Sequence, residues 1–563
     1  MPRVGVCAAL LCVLIAIPVS GSAYIVQLAT DILTFTTLAY SWNLISGFTG
    51  YLSFGQVSFF GLGAYITALL VLHTPTPWYA AAIIAGVVVG LSALVLGLLM
   101  LRLRGILFAL GMAGVARILA VAFSNWSFAG GSVGLTLPSQ LTPLAVYVGT
   151  TAVALAAFGL NVYFARSGFG LDAKSVRDDE EAAASLGVPT TRVKIWAFML
   201  SAVFPAVVGG LVAWNRSFID PPSAFDPALD LQTVVFVLFG GISTIWGPLV
   251  GTVVLSLLGE EFLVYFPDLE LALFGAVVIA SVLILPGGLV SLANRFGRFA
   301  RRTPLAPQPL APGAPPGSRP ASTVEERAIL ELEDLTVRFG GVLALDRVSL
   351  KIWPGETVSI IGANGAGKTT LFNAIAGLVP PTSGDIRYEG QSIARVPVFE
   401  RARGGIARTF QIPRLMDSMS VWENVLLASR HGKQSGRAVD HTAWTLHTVG
   451  LQTMWLAPAS ILTPGLRRRL EVARALALDP NVILLDEVMA GMTGGEQEEI
   501  RQAVRRIHEL GVTVVCVEHV ISAIADLSDR MVVLDFGRKI AEGRSDAVLS
   551  DPTVVKAYLG EPQ

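Results

Sequence analysis

The stretch that decides the fold of the second half of this chain is Gly362-Ala363-Asn364-Gly365-Ala366-Gly367-Lys368-Thr369-Thr370. It matches the pattern G-x-x-x-x-G-K-T in full, which is the phosphate-binding P-loop. The apolar run Val358–Ile361 precedes it, and the run Leu371–Leu378 follows it with a helical composition. Because the motif requires a strand before it and a helix after it, we predict a phosphate site here rather than a chance glycine-rich turn.

Each residue type in this loop has a physical task. The glycines allow backbone N–H groups to turn inward around phosphates, and the N-terminus of the following helix adds positive potential. Lys368 is expected to reach the outer phosphates, and the Thr369 hydroxyl is expected to hold Mg²⁺. The residues predicted to bind ATP within this stretch are Gly362, Asn364, Gly365, Gly367, Lys368, Thr369 and Thr370.

A second apolar run, Val482–Leu485, ends in the acids Asp486 and Glu487. We predict that Asp486 holds Mg²⁺ through water and that Glu487 polarises the attacking water. Such a run alone is often only the end of a strand. Strand-like runs, including Val512–Val517, alternate with amphipathic runs across residues 329–563, which predicts an α/β domain with a largely parallel sheet.

The first half of the chain has a different composition. The 563 residues are 53% hydrophobic and only 15% charged, whereas a soluble domain carries about a quarter charged residues. Much of the chain must therefore lie in lipid. The net charge of −1 gives no case for a nucleic-acid partner, and three cysteines predict neither a disulfide framework nor a metal cluster.

Residues 1–295 can be divided into about ten membrane spans of 17–25 residues, forming an all-α polytopic domain. The predicted spans are 4–20, 25–45, 51–72, 78–101, 105–124, 142–165, 195–214, 228–245, 248–266 and 269–289. Basic residues follow the fourth, sixth and tenth spans, which places the N-terminus and the second domain on the cytoplasmic side. The N-terminus also has the pattern of a signal peptide, but its cleavage would leave an odd number of spans.

Residues 296–328 are rich in proline and alanine and predict a semi-rigid linker between the two domains. Proline excludes most of this segment from helices and sheets.

The second domain carries a family resemblance. The stretch Leu462–Leu476 resembles the signature region of ATP-binding cassette ATPases, in which Thr463 and Gly465 would cap the ATP bound to a partner subunit. The resemblance further implies that Phe339 stacks on adenine, that Gln411 senses Mg²⁺ and the membrane domain, and that His519 contacts the γ-phosphate. Pro464 and Leu466 are atypical for a signature, so the site that borrows it could be slow or degenerate.

The membrane half resembles the permease subunits of branched-chain (hydrophobic) amino-acid importers. The similar stretches are Asn43–Gln56, Arg102–Leu110, Gly130–Leu135 and Phe239–Pro248. The first is dense in glycine and small polar residues, which favours either tight helix packing or a broken backbone that a solute could use. In the ATPase half, Asp535–Gly543 is similar to the ATPase subunits of the same importers.

The loop 166–194 contains a segment that resembles the coupling helix of importers, with Glu181, Ala182, Ala183 and Gly187 matching the E-A-A-x-x-x-G pattern. We expect a short amphipathic helix whose alanine face fits the ATPase near Gln411. An ordinary charged loop is the alternative. Intramembrane acids are few (Asp31, Glu260 and Glu261), which fits a zwitterionic or neutral solute.

These expectations combine into one hypothesis: an ATP-driven importer of branched-chain amino acids in the cytoplasmic membrane. The resemblance implies a second permease, a second ATPase and an extracytoplasmic solute-binding protein, although a homodimer is a simpler assembly. Urea or short amides remain an alternative cargo. An exporter and a membrane-tethered regulatory ATPase are alternatives of other classes.

Overall fold

A computed structural model describes residues 14–18, 22–138, 142–265, 275–276, 279, 283, 287–295, 327–518, 525–552 and 554. The chain divides into two compact units. The helical unit comprises Met1–Arg177 and Thr191–Arg302, and the sheet unit comprises Asp178–Thr190 and Thr303–Gln563. The short segment 178–190 therefore groups with the second domain, although in sequence it lies inside the first.

The described residues between 23 and 295 form helices that follow the apolar runs of the sequence. Their bounds are α1 Ala23–Trp42, α2 Gln56–His73, α3 Trp78–Met100, α4 Ile106–Asn125, α5 Pro143–Arg166, α6 Gly168–Asp178, α7 Glu180–Ser185, α8 Thr190–Arg216, α9 Pro221–Ala224, α10 Pro227–Gly240, α11 Gly247–Tyr265 and α12 Gly288–Arg295. A two-stranded antiparallel ribbon joins β1 Leu135–Thr136 to β2 Phe218–Ile219.

Six segments among the described residues are long and apolar enough to cross a membrane, namely α2, α3, α4, α5, α8 and the run Pro221–Gly240. Helices α1 and α11 coincide with two further predicted spans. The predicted spans 4–20 and 269–289 lie largely outside the described residues, so the number ten stays a prediction. Two predicted spans were too long, because residues 51–55 are not helical and α10 ends at Gly240.

Glycines allow helices of the helical unit to approach each other closely. A Cβ atom at Gly63 would clash with the main chain of Ala206, and one at Gly209 would clash with the main chain of Phe60. Helices α2 and α8 thus pack backbone against backbone, as small residues permit in membranes. Gly63 and Gly209 lie outside the stretch Asn43–Gln56, and both serve close helix packing.

The sheet unit contains two sheets. The larger has the order β12-β11-β5-β10-β9-β8 and is parallel except for its β12 edge. The smaller, of order β4-β3-β6-β7, is antiparallel and was not predicted. The strands are β3 Leu330–Phe339, β4 Val342–Ile352, β5 Thr357–Ile361, β6 Ser383–Tyr388, β7 Gln391–Ser392, β8 Ile406–Arg408, β9 Val482–Asp486, β10 Thr513–Val517, β11 Arg530–Asp535 and β12 Arg538–Gly543.

Helices flank these sheets: α13 Lys368–Ala376, α14 Val398–Gly404, α15 Val421–His431, α16 Ala438–Thr448, α17 Pro464–Ala477, α18 Gly494–Glu509 and α19 Ser545–Leu549. One apolar core joins both sheets to α13, with Leu332, Ile360 and Phe372 almost completely buried. Strands β5, β9 and β10 are buried along their whole length, which explains their continuous apolar runs.

Arg401 of α14 secures the far end of α13. Its side chain is buried and donates hydrogen bonds to the carbonyl oxygens of Ala374 and Ile375, both at 2.8 Å, and of Val396 at 2.9 Å. Burial lowers the pKa of Arg401 to about 10, so the guanidinium stays charged at neutral pH. It satisfies carbonyls that a helix end leaves without partners.

We predict that Arg401→Met lowers the free energy of unfolding of the sheet unit by about 2–4 kcal/mol, because buried carbonyls lose charged donors. Arg395→Met is the matched control, since Arg395 is exposed and close in sequence. Thermal unfolding of the purified full chain measures both. Equal midpoints for the two variants would contradict this role for Arg401.

Candidate nucleotide site

The P-loop lies between β5 and α13, where the sequence predicts it. Gly365 and Gly367 have φ angles of 84° and 100°, a region that side chains other than glycine rarely adopt. A Cβ atom at Gly367 would also lie 2.6 Å from the carbonyl oxygen of Ala344. The loop can therefore keep this shape only with glycine at position 367.

Lys368 is the first residue of α13 and is buried. Its ammonium donates to the carbonyl oxygens of Gly362 at 2.6 Å and Ala363 at 2.9 Å. Burial lowers the pKa of Lys368, while Glu487 and Asp486 counteract that effect. The cation is thus held at the loop, next to two acids, and the hydroxyl-bearing Thr369 follows it on an exposed position of the first helical turn.

Asp486 ends β9 and is completely buried. Neither of its carboxylate oxygens has a hydrogen-bond partner, and the nearest ion-pair contact is Arg408 Nη2 at 3.8 Å from Oδ2. Burial raises the pKa of Asp486, and the Arg408 charge opposes this rise. Buried carboxylate oxygens without partners suit a hydrated Mg²⁺, which is bound through one or two carboxylates and keeps several waters.

Glu487 directly follows Asp486 and has a positive φ of 48°. Its N–H donates to the carbonyl oxygen of Val517, the last residue of β10, at 2.9 Å. This hydrogen bond holds the strained turn that follows β9. The Gln411 side-chain amide donates to Glu487 Oε2, also at 2.9 Å. The structure thus brings Gln411, Glu487, Asp486 and Lys368 into one place.

The remaining predicted residues lie as follows. Phe339 ends β3 and is half-exposed, so its ring is accessible. Thr463 is the N-cap of α17, and Pro464 occupies the first turn, where proline's missing N–H costs nothing. A Cβ at Gly465 would clash with Glu496. Pro464, although atypical for a signature, is compatible with the first turn of α17. His519 lies outside the described residues.

Sequence reasoning missed a buried ion pair beneath the loop that carries Gln411. Arg474 Nη1 donates to Glu471 Oε2 at 3.3 Å and to the carbonyl oxygen of Arg414 at 2.6 Å. Glu471 Oε1 accepts the N–H of Phe410 at 3.2 Å. Both side chains are almost completely buried. A pair of opposite charges three residues apart within the otherwise apolar run 470–478 was the available signal.

The segment 178–190 carries the predicted coupling residues. Asp179 caps α7 by accepting the N–H of Ala182 at 2.9 Å, and the helix packs against α14. Ala182 and Ala183 are completely buried. Arg414 Nη1 donates to Glu181 Oε2 at 2.8 Å. The expected short helix is present, and it bonds to the loop that carries Gln411.

Gly187 follows α7 in a conformation that favours glycine. Its φ is 83°, and a Cβ there would lie 2.9 Å from the Cβ of His431. Its carbonyl oxygen accepts a hydrogen bond from Arg403 Nε at 2.7 Å. The four residues that match the E-A-A-x-x-x-G pattern thus all contribute to one contact within the sheet unit.

Glu518, at the end of β10, is a further buried acid that the sequence did not single out. It accepts the N–H of Met489 at 2.9 Å. Burial raises its pKa to about 7, and the neighbouring carboxylates of Glu487 and Asp486 add to this rise. Three acids thus share this edge of the parallel sheet.

Comparisons with known proteins address both halves. Residues 24–282 match the family of branched-chain amino acid transport system permease components. Residues 345–490 match the ABC transporter family, and residues 538–562 match the branched-chain amino acid ATP-binding cassette transporter family. This chain belongs to the branched-chain amino acid ABC transporters. The resemblance inferred from the sequence is thereby confirmed for both halves.

The relatives correspond to the ATPase half of the chain. The high-affinity branched-chain amino acid transport ATP-binding protein BraF of Pseudomonas aeruginosa is 38% identical over 252 residues, covering 42% of this chain and 99% of BraF. LivG of Escherichia coli K12 is 36% identical over 250 residues, covering 41% of this chain and 98% of LivG. LivG of Archaeoglobus fulgidus, described as probable, is 33% identical, covering 41% and 95%.

The family assignment defines the chemistry at the site. The chain unites a membrane-embedded permease with an ATP-binding cassette ATPase, so the P-loop is a nucleotide site and the activity is ATP hydrolysis coupled to transport.

Because burial raises the pKa of Glu518 from 4.5 to about 7, the folded state binds more protons than the unfolded state between those pH values. The contribution of Glu518 to the free energy of unfolding therefore falls as pH rises from about 4.5 to 7. We predict that Glu518→Gln removes this fall, which amounts to at most about 3 kcal/mol. Urea unfolding of the full chain at pH 5.5 and 8.0 measures it. Glu509→Gln, an exposed site, should retain the wild-type fall, and an unchanged fall in Glu518→Gln would refute the assignment.

Proposed function

We propose that this chain uses ATP hydrolysis to import branched-chain amino acids across the cytoplasmic membrane. The observation that carries the proposal is the hydrogen-bonded connection, within the sheet unit, between Glu487, the loop 408–414 and the coupling segment. The cargo is inferred from the permease family matched by residues 24–282 and from the transport function that BraF and LivG are named for.

At the nucleotide site, the geometry supports defined roles. Lys368 and the P-loop amides hold the phosphates, with Phe339 stacked on adenine and Asn364 and Thr370 at the loop. The Thr369 hydroxyl, Asp486 and Gln411 are the proposed holders of Mg²⁺, which when bound neutralises charge on the phosphates. Glu487 accepts the proton of the attacking water, and the Gln411 hydrogen bond at 2.9 Å orients its carboxylate. His519 keeps its proposed contact with the γ-phosphate.

Movement reaches the coupling segment through the loop 408–414. Arg414 contacts Glu181 through its side chain, and its main-chain carbonyl is held by the buried Arg474. The main chain around Gln411 is hydrogen-bonded on both sides, at Phe410 and at Arg414. A displacement of Gln411 is therefore passed on to Arg414 and is not absorbed by a free loop. This is the physical basis we propose for coupling hydrolysis to transport.

The assembly requires further parts. We propose a second permease, a second ATPase and an extracytoplasmic solute-binding protein, and a second copy of this chain would supply the first two. Thr463 and Gly465 then cap the ATP of the partner ATPase. We propose domains of residues 1–295 and 329–563 joined by the linker 296–328, with the N-terminus and the ATPase on the cytoplasmic side.

We predict that Glu487→Gln lowers leucine-stimulated ATP hydrolysis by about 10²- to 10⁴-fold, because it removes the proton acceptor. Hydrolysis in vesicles containing the chain and its co-purified subunits, with a solute-binding protein and a solute panel, measures it. Glu509→Gln should hydrolyse like the wild type. Full activity of Glu487→Gln would exclude Glu487 as the base.

The same panel tests the cargo. Stimulation by leucine, isoleucine or valine is expected from the wild type. Stimulation by urea alone would replace the proposed cargo, and hydrolysis that no solute stimulates would contradict transport.

A charge exchange tests the coupling contact. We predict that Arg414→Glu and Glu181→Arg each reduce the cargo-stimulated increment of hydrolysis about tenfold while leaving unstimulated hydrolysis within about twofold, because an exposed pair contributes little to stability. The double variant should regain at least half of the increment. If the double variant is no better than the singles, the Arg414–Glu181 bond does not transmit the signal.

A further inference from the structure

The helical unit has a break between α1 and α2. Residues Asn43–Gly47 form a π-helical turn, residues 51–55 are not helical, and α2 begins at Gln56. Irregular backbone at membrane depth is tolerated where it is buried or lines a cavity. The break therefore has either a structural or a transport role, and its hydrogen bonds distinguish the two.

Several main-chain groups at the break have partners within the protein. The N–H of Val57 donates to Asp230 Oδ1 at 3.0 Å, and the N–H of Ser58 donates to the carbonyl oxygen of Gly55 at 3.2 Å. The Ser46 hydroxyl accepts the N–H of Ser53 at 3.0 Å and donates to the carbonyl oxygen of Tyr51 at 3.0 Å. These backbone groups are thus engaged within the protein and are not free to bind a solute.

One side chain at the break is different. Gln56 is 1% exposed, and neither its amide nitrogen nor its amide oxygen has a hydrogen-bond partner. A primary amide has two donors and one acceptor oxygen, and buried groups of this kind are nearly always bonded. The completely buried Ser53 hydroxyl, three residues earlier, also lacks a partner.

Other buried hydroxyl groups of the helical unit, including those of Thr36, Ser58 and Thr67, also have no hydrogen-bond partner, but a hydroxyl can find one by a simple rotation. A serine or threonine on a helix can bond the carbonyl four residues earlier, as Thr30, Thr34 and Thr37 do in α1. Gln56 is the first residue of α2 and carries a longer, amide side chain. It therefore cannot find a partner by the simple rotation that lets a threonine hydroxyl bond to its own helix. Its amide stays buried at a cost in stability, which indicates selection for another purpose.

We propose that Gln56 binds the zwitterionic head group of the amino-acid cargo inside the helical unit, with the Ser53 hydroxyl as a second contact. This inference rests on the proposed function. The amide N–H groups match a carboxylate and the amide oxygen matches an ammonium, so one side chain serves both charges. The side chain of Asp230, whose Oδ1 accepts the N–H of the adjacent residue Val57, lies next to this proposed contact and offers a further acceptor for the ammonium.

The surroundings suit the apolar part of such a cargo. Trp42 Nε1 donates to the carbonyl oxygen of Ser53 at 2.8 Å, which brings the indole to the break. Trp42 packs with Ala39, Val234 and Val237, and Phe54 lies against this cluster. A branched aliphatic side chain would therefore meet apolar surface beside the polar pair.

The test replaces the amide with an apolar side chain of similar size. We expect Gln56→Met to raise the KM for L-leucine uptake by about 10- to 100-fold, the factor for loss of hydrogen bonds to a charged group. The thermal midpoint of the purified chain should not fall, because the buried amide has no partner to lose. Uptake is measured in vesicles with the full chain and its co-purified subunits. Thr67→Val, which removes another buried hydroxyl without a partner from α2, is the control and should match the wild type.

Each other outcome overturns the inference. An unchanged KM in Gln56→Met would exclude a cargo contact, and a lower thermal midpoint would make Gln56 a structural residue. An equal rise in KM for Thr67→Val would show a general effect of polar groups in α2. If the wild type takes up no amino acid, the proposed function fails and this inference fails with it. If the wild type takes up leucine and Gln56→Met has the same KM, this inference fails while the proposed function stands.

Discussion

The main chain of residues 408–414 is the element on which the functional arrangement of the sheet unit depends. The buried pair Glu471–Arg474 holds it from beneath, through the N–H of Phe410 and the carbonyl oxygen of Arg414. Two buried charges are costly unless each finds its partners, and removal of one leaves the other unpaired. The loop therefore has one well-defined position, from which Gln411 meets Glu487 and Arg414 meets Glu181.

The two units handle polar groups in different ways. In the sheet unit, acids gather at one edge of the parallel sheet and are balanced by Lys368, Arg408 and backbone donors. In the helical unit, most buried polar side chains are amides and hydroxyls, and the buried ionisable ones among the described residues include Asp172, Lys194 and Asp230. Asn43 and Asn161, for example, bond to each other at 3.0 Å and Asn43 accepts the N–H of Ser243 at 2.8 Å, which secures the π-helical turn. This difference follows from the cost of charge in lipid.

Much of the site could be predicted from sequence because its chemistry is local. The P-loop glycines, Lys368 and the acid pair after β9 are each defined by neighbours within about ten residues, and the apolar strands that present them are continuous. Whether the atypical Pro464 is compatible with the fold could not be predicted from its neighbours in sequence. Only its position in the first turn of α17 explains why proline is accepted there. The antiparallel sheet was also missed, because its strands β3 and β4 pair over irregular registers.

The sequence by itself determined the two kinds of domain, the order of the cassette motifs and the family, because composition and short motifs reflect solvent and local backbone geometry. Only the tertiary structure decided which long-range partners meet. The contacts of Arg474 with Arg414, Arg414 with Glu181, and Asp230 with the start of α2 join residues 60, 233 and 173 positions apart. Such contacts depend on how elements pack, and no local pattern specifies them.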